Sequence, residues 1–254
     1  MDTREVRDGE SSFVVSVLEV AEPARVVLFA VGAGGDPGRH EPLLAALGAA
    51  GCAVVAPHFE RWTSLHPTDE QLVSRARRLG LALDAVTPSA TLVAGVGHSI
   101  GATVLLAMAG GALWTSPRGP LLISRDERLT RLALLAPATG FFRAPGALDR
   151  VRLPLLVWAG EADRVTPPGQ VGILREALGE QVEARVTRDA GHFSFMDVPP
   201  PLVPEPHPDR AAFLLEVART VRGFVVDRRG VVVAERLVEQ VRTRERPPRR
   251  RRRA

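Results

Sequence analysis

The sequence predicts an α/β protein, a mostly parallel sheet with helices on both faces. Apolar runs of strand length alternate along the chain with segments of helical period. Most of these runs are nearly continuous in Val, Leu and Ala, as strands covered on both sides require. The length of 254 residues, with 45% hydrophobic and 24% charged residues, allows one continuous core without metals or disulfides.

Taken in order, "SFVVSVLEV" (12–20) alternates in part, which suits a strand with one exposed face. "RVVLFAV" (25–31), "CAVVAP" (52–57), "TLVAGVG" (91–97), "RLALLAP" (131–137) and "LPLLVWAG" (153–160) are short continuous runs of the doubly covered kind. "QVEARVT" (181–187) alternates again and belongs near an edge. Thr68 and Gln71 have the spacing of a capping box, and Leu72, Ala76, Leu79, Leu83 and Val86 follow along one helical face. Thr166 and Pro167 read as an N-cap and first-turn proline, with Gly179 as the stop. Phe213, Val217, Val221 and Phe224 mark a last amphipathic face. Residues 225–241 fit either a helix or a hairpin centred on Gly230.

The expected organisation is a single domain over residues 1–241 and an Arg-rich, disordered tail over 242–254. That tail holds eight Arg and one Glu, a charge of +7 against a total of +4, so the body carries −3. It could touch nucleic acid or an anionic surface, but it has no aromatic residue for stacking, and a solvated tail is the expectation. The first ten residues, "MDTREVRDGE", are charged and do not resemble a secretory signal. Residues 100–114 form the longest near-apolar stretch, shorter than the ~20 residues of a membrane span, and read as a buried helix. A cytoplasmic location is expected. Cys52 stands alone in an apolar run and reads as a core residue. The chain has no lysine, which excludes P-loop, Schiff-base and Ser-x-x-Lys chemistry.

In a parallel sheet, functional groups gather at the carboxyl ends of the strands. "GVGHSIGATVLLAMAGG" (95–111) places Ser99 just past such an end, between Gly97 and Gly101 and ahead of an apolar helix. Flanking glycines permit the tight strand-to-helix turn that lifts a serine hydroxyl clear of the chain, whereas the alternative is a plain N-cap serine. A reactive serine needs a base. His40, His58, His66 and His207 lie in polar or loop contexts and read as surface residues, and His98 reads as packing. His192 in "RDAGHFSFM" sits in a Gly-containing loop past the last alternating run, where an imidazole can swing over the strand ends. Its second nitrogen needs an acceptor, and Asp163 in "VWAGEADRVTPP" follows another strand end, with Glu161 and Asp197 as alternatives. The order Ser99, Asp163, His192 is the Ser…Asp…His order of one known architecture.

A tetrahedral intermediate also needs donors. "VGAGGDPG" (31–38) is glycine-rich and can bring backbone amides close, and Pro37 breaks the dinucleotide fingerprint that would start at Gly32. The amides of Ala33 and Ile100 are the expected oxyanion pair.

"VGAGG", "GHSIG", "LPLLVWAGEADRVTPP" and "DAGHF", in this order, resemble the α/β-hydrolase-fold serine hydrolases, of the esterase and dienelactone-hydrolase-like group. The resemblance spans residues 25 to about 225. It implies a mostly parallel sheet of about eight strands and a triad of Ser99, His192 and Asp163. Two departures stand out. The oxyanion loop of the family usually opens His-Gly, and here it opens Val31-Gly32, which removes a side chain that helps fix the loop. Dienelactone hydrolases proper use cysteine as nucleophile, so their reaction is not carried over. Only "ATGFFRAPGALDRVR" (138–152) separates two strands at the cap position, so the cap is minimal. Gly32, Phe141, Phe142, Trp114 and Phe193 are candidate substrate contacts.

The expected function is hydrolysis of a carboxylic ester or thioester with a small to medium acyl group, through an acyl-serine. The alternatives are an acyltransferase on the same triad or a non-catalytic binding protein on the same scaffold. The partner expected is a small-molecule acyl ester, with no cofactor and no metal, since the histidines lack ligand spacing.

Overall fold

The computed structural model describes residues 1–62, 64, 66–87, 92–116, 119–204 and 206–227. Readings that concern residues 228–254, the Gly230 hairpin and the Arg-rich tail among them, lie outside the described residues.

Eight strands form one sheet: β1 (Asp2–Asp8), β2 (Ser11–Leu18), β3 (Arg25–Ala30), β4 (Cys52–Pro57), β5 (Val93–His98), β8 (Leu129–Leu135), β9 (Leu155–Gly160) and β10 (Val182–Thr187). Their spatial order is β1-β2-β4-β3-β5-β8-β9-β10, and a short hairpin of β6 (Leu113–Ser116) and β7 (Gly119–Leu121) stands apart. From β4 to β10 every neighbouring pair is parallel, and β1 and β2 complete the sheet antiparallel.

The continuous apolar runs lie where their composition requires. Every residue of β3, β4, β5 and β9 is buried. Both faces of these strands are dry because helices cover both. Val26, Leu28 and Ala30 of β3 face one core layer, against α2 (Asp69–Val86), α3 (Ile100–Met108) and α4 (Gly169–Leu178). Val27 and Phe29 face the other, against α1 (Glu41–Ala49) and α5 (Arg210–Val226). β10 forms the opposite edge and half exposes its residues, in keeping with its alternation. Among the described residues, no helix is long and apolar enough to cross a membrane.

The Thr68–Gln71 capping box is present in both directions, and Gly179 caps α4 with φ 55°. Four elements differ from the sequence reading. The charged start of the chain is strand β1, whose backbone pairs with β2 over seven residues while only Val6 and Asp8 are buried. Helix α1 buries only Leu43, Leu44 and Leu47, too short a pattern to stand out. The stretch 100–114 is not one helix: α3 stops at Met108, Gly110 turns with φ 111°, and Leu113 opens β6. Helix α4 starts at Gly169 with Pro168 as N-cap, so Thr166 is not its cap. Its hydroxyl is used elsewhere.

Candidate active site

The site is built at the carboxyl ends of β5 and β9 and in the loop after β10. Ser99 follows β5 directly with φ 55° and ψ −126°, a conformation that L side chains rarely adopt, and its hydroxyl caps no helix amide. The strain falls on the serine itself. Its neighbouring glycines are needed for close approach rather than for unusual φ. A Cβ on Gly97 would sit 2.7 Å from Ala102 Cα, and one on Gly101 would sit 2.1 Å from the Ala30 carbonyl oxygen. The turn therefore presses α3 against the ends of β3 and β5, and it holds the Ser99 side chain clear of both.

Ser99, His192 and Asp163 come together in hydrogen-bonding succession. Ser99 Oγ lies 2.9 Å from His192 Nε2, and His192 Nδ1 lies 2.8 Å from Asp163 Oδ2. Asp163 as the acceptor assigns the Nδ1 proton to His192, which leaves Nε2 free to accept from the serine. All three residues are buried, with 7%, 6% and 3% of their surfaces exposed in that order. Seclusion at this level strengthens each polar contact.

Asp163 is saturated. Its Oδ1 accepts the amides of Val165 (2.8 Å) and Thr166 (2.7 Å), and its Oδ2 accepts the Thr166 hydroxyl (2.7 Å) as well as His192. Burial alone would raise its pKa. The bonds from His192 and Thr166 outweigh burial and hold the carboxyl below its usual range, so it is an anion. Thr166 Oγ1 also stands 3.0 Å from His192 Nδ1 and from the Ala136 carbonyl.

The loop carrying His192 is fastened from two sides. Gly191 N–H donates to Ser194 Oγ (2.7 Å), and His98 Nε2–H donates to the His192 carbonyl (3.0 Å). His98, read from sequence as packing, thus ties β5 to the imidazole loop. Its ring lies between those of His192 (centroids 5.0 Å) and His40 (5.2 Å). His40 is fully buried, a correction to the surface reading; it packs on Phe29 and His98 behind the site. Of the other histidines read as surface, His66 is exposed, while His58 and His207 are half-buried.

The glycine-rich loop lies against the serine. A Cβ on Gly32 would meet Ser99 Cβ and His98 Nδ1, each at 3.2 Å. The N–H of Ala33 donates to no atom of the described residues, and the N–H of Ile100 is the first of α3, with no acceptor within the helix.

The remaining candidates divide. Phe193 is half-buried and meets His192 edge-on (centroids 5.0 Å). Phe141 and Trp114 are half-buried over the core layer of α3. Phe142 is 2% exposed and packs against Gly111 in the core layer of α3. The 138–142 segment is pinned by Thr103 Oγ1 to the Ala138 carbonyl (2.7 Å) and by Gln170, whose side-chain oxygen accepts the amides of Thr139 (2.7 Å) and Gly140 (3.1 Å). Glu161 is exposed, and Asp197 makes no hydrogen bond to the imidazole, so neither alternative acid is part of the site. Among the described residues, no cluster of three or more His, Cys, Asp or Glu could hold a metal. Thr166 and His98 are the site residues that sequence reasoning missed. Nothing in the spacing flags His98, whereas Thr166, three residues after the acid, carries a signal that its Pro167 neighbour disguised as a helix start.

No family model and no curated protein matches this sequence. Solved structures match its fold over nearly the whole chain. They include a putative alpha/beta hydrolase of unknown function from Agrobacterium tumefaciens, at 14% identity and TM-score 0.64, covering 88% of this chain and 96% of that one. A thermophilic esterase from the Planctomycetes species Thermogutta terrifontis, solved with propionate bound, matches at 16% identity and TM-score 0.62, covering 89% and 93%. An alpha-beta serine hydrolase homologue from Coxiella burnetii matches at 16% identity and TM-score 0.58, covering 89% and 95%. At these identities the likeness establishes the fold, and the chain has the α/β-hydrolase fold.

Proposed function

We propose that this chain is a serine hydrolase that cleaves a carboxylic ester or thioester with a small to medium acyl group. The single observation that carries the reading is the succession Ser99 Oγ, His192 Nε2, His192 Nδ1, Asp163 Oδ2, with contacts of 2.9 and 2.8 Å. A hydroxyl alone is a poor nucleophile, and this arrangement removes its proton as it attacks.

Ser99 Oγ attacks the acyl carbon while its proton passes to His192 Nε2. The imidazolium that forms is stabilised by the Asp163 carboxylate, which holds the ring in place and remains an anion. The amides of Ala33 and Ile100 receive the negative oxygen. His192 then returns the proton to the leaving alcohol or thiol, an acyl-serine remains, and water activated by the same imidazole releases the acid. The esterases among the structural neighbours, one holding propionate, support an ester substrate with a short acyl group. Half-buried Phe141 and Phe193 are proposed to flank that group, and Trp114 to lie at its rim.

The test is Ser99→Ala against a series of aryl esters of increasing acyl length. Loss of a triad serine lowers kcat on the order of 10⁶-fold. Turnover that survives the substitution intact would remove the mechanism, and the acyl length giving the highest kcat/KM would define the substrate class.

A further inference from the structure

The loop that opens Val31-Gly32 lacks the side chain expected to fix it, and the structure supplies another from a distant element. Arg75 lies in α2 and is 3% exposed. Its Nη1 donates to the carbonyls of Val31 (2.8 Å) and Gly32 (2.9 Å). Its guanidinium carbon stands 4.0 Å from the Trp62 ring centroid and 4.6 Å from that of Phe59. Both aromatic residues come from the segment that lines the same loop, where Trp62 N–H donates to Ala33 O and Phe59 N–H to Gly35 O. Among the described residues no carboxylate pairs with Arg75, and its Nε and Nη2 are buried without partners. A buried cation is costly unless something receives its charge. Here two peptide carbonyls and two aromatic faces receive it.

The Gly32 carbonyl belongs to the same planar unit as the Ala33 N–H. In a trans peptide these two groups point in opposite directions. A cation held on the carbonyl therefore fixes the plane of the amide and draws electron density from its nitrogen, which makes the N–H a stronger donor. We propose that Arg75 is a positioning residue for oxyanion stabilisation: through the Gly32 carbonyl it orients and polarises the Ala33 amide beside Ser99. The proposal rests on the reading of Ala33 as an oxyanion donor. Burial lowers the Arg75 pKa to about 10, which leaves it charged at neutral pH.

The experiment compares wild type, Arg75→Leu, Arg75→Lys and Ser99→Ala on a short-chain aryl ester. It also measures inhibition by a trifluoromethyl ketone, whose adduct with a serine carries an oxyanion. Displacing a catalytic group by about an ångström costs up to ~10²-fold. Arg75→Leu is expected to lower kcat by about 10- to 100-fold with KM within about twofold, and to weaken the ketone by the same factor as kcat/KM. Arg75→Lys, which keeps a cation, is expected to recover part of the loss. Should Arg75→Leu fail to fold, Arg75→Lys alone carries the comparison: its kcat and ketone affinity must fall together, with KM held. Unchanged kcat in a folded variant, a loss confined to KM, or ketone affinity that stays constant while kcat falls would each overturn the proposal. An active wild type silenced by Ser99→Ala but indifferent to Arg75 removes this inference alone. A wild type that neither turns over ester nor forms the ketone adduct removes the hydrolase reading, and this proposal with it.

Discussion

Thr166 meets both oxygens of the Asp163 carboxylate, its amide 2.7 Å from Oδ1 and its hydroxyl 2.7 Å from Oδ2. Two bonds from one residue to the two ends of a carboxylate fix its plane. Since Oδ2 is also the acceptor of His192 Nδ1–H, that plane sets the direction of the imidazole. The Ala136 carbonyl, just past the end of β8, lies 3.0 Å from the same hydroxyl and is the second acceptor within reach of its single proton.

Replacing Thr166 with Val keeps the shape and the amide and removes the hydroxyl. A hydrogen bond to a charged group contributes roughly 1.5–3 kcal/mol, so kcat/KM should fall by about 10- to 100-fold, mostly in kcat. Steady-state kinetics on an aryl ester read this directly. A folded Thr166→Val with wild-type kcat would show that Val165 and Thr166 amides suffice to aim the carboxylate.

Asp163→Asn tests the tautomer. The amide side chain can donate to Nδ1, which moves the imidazole proton to Nε2 and leaves no base facing Ser99. A loss in kcat on the order of 10⁴ is expected near neutral pH, larger than for Thr166→Val. A loss below about tenfold would mean that His192 does not depend on this partner.

The elements most legible in the sequence were those with a physical reason to be pure. β3, β4, β5 and β9 are buried on both faces, so their interiors are apolar, with charged or polar residues only at the ends, Arg25 opening β3 and His98 closing β5. Ser99 and Asp163 follow such strand ends, where polarity returns abruptly. β1 was illegible because its stability comes from backbone pairing with β2, and its side chains are mostly solvated. Buried polar residues were illegible for another reason. His40, His98, Arg75 and Thr166 are accommodated by carbonyls and rings brought from remote parts of the chain, and no local pattern records those partners. The weakest inferences from sequence were therefore about what holds the site, not about what it contains.

Glycines give a paired prediction. Gly101→Ala would put a Cβ 2.1 Å from the Ala30 carbonyl oxygen and 2.6 Å from that of Val31, backbone atoms that cannot rotate away. The start of α3 must shift, and the Ile100 amide and Ser99 shift with it, so activity should fall by ~10² or more even in protein that folds. Gly80 lies inside α2 with nothing within 4 Å of the added atom. Gly80→Ala should raise stability by about 0.5–1 kcal/mol and leave kcat unchanged. Thermal unfolding and ester turnover, measured on both variants, separate the two effects.

The imidazoles behind the site make stability fall in mild acid. Burial depresses His40 to about 4, and burial together with the neighbouring His192 and His40 depresses His98 well below the usual histidine value. Asp36, Arg39 and the Phe195 backbone act on His40 more weakly than burial does. Both groups are neutral in the folded chain, whereas the unfolded chain binds their protons near the ordinary value of about 6.5. Stability is therefore fully present above that value and is lost as pH falls toward 4. Between pH 7 and 5, His40 alone accounts for about 2 kcal/mol. Asp163, held low, loses its contribution only at more acidic pH, and Asp197, raised by burial, acts in the opposite sense. Urea unfolding at pH 7 and pH 5 should show a loss of stability in the wild type and a smaller loss in His40→Leu, whatever the absolute stability of the variant. Equal losses in the two proteins would mean that His40 takes up its proton without leaving the core.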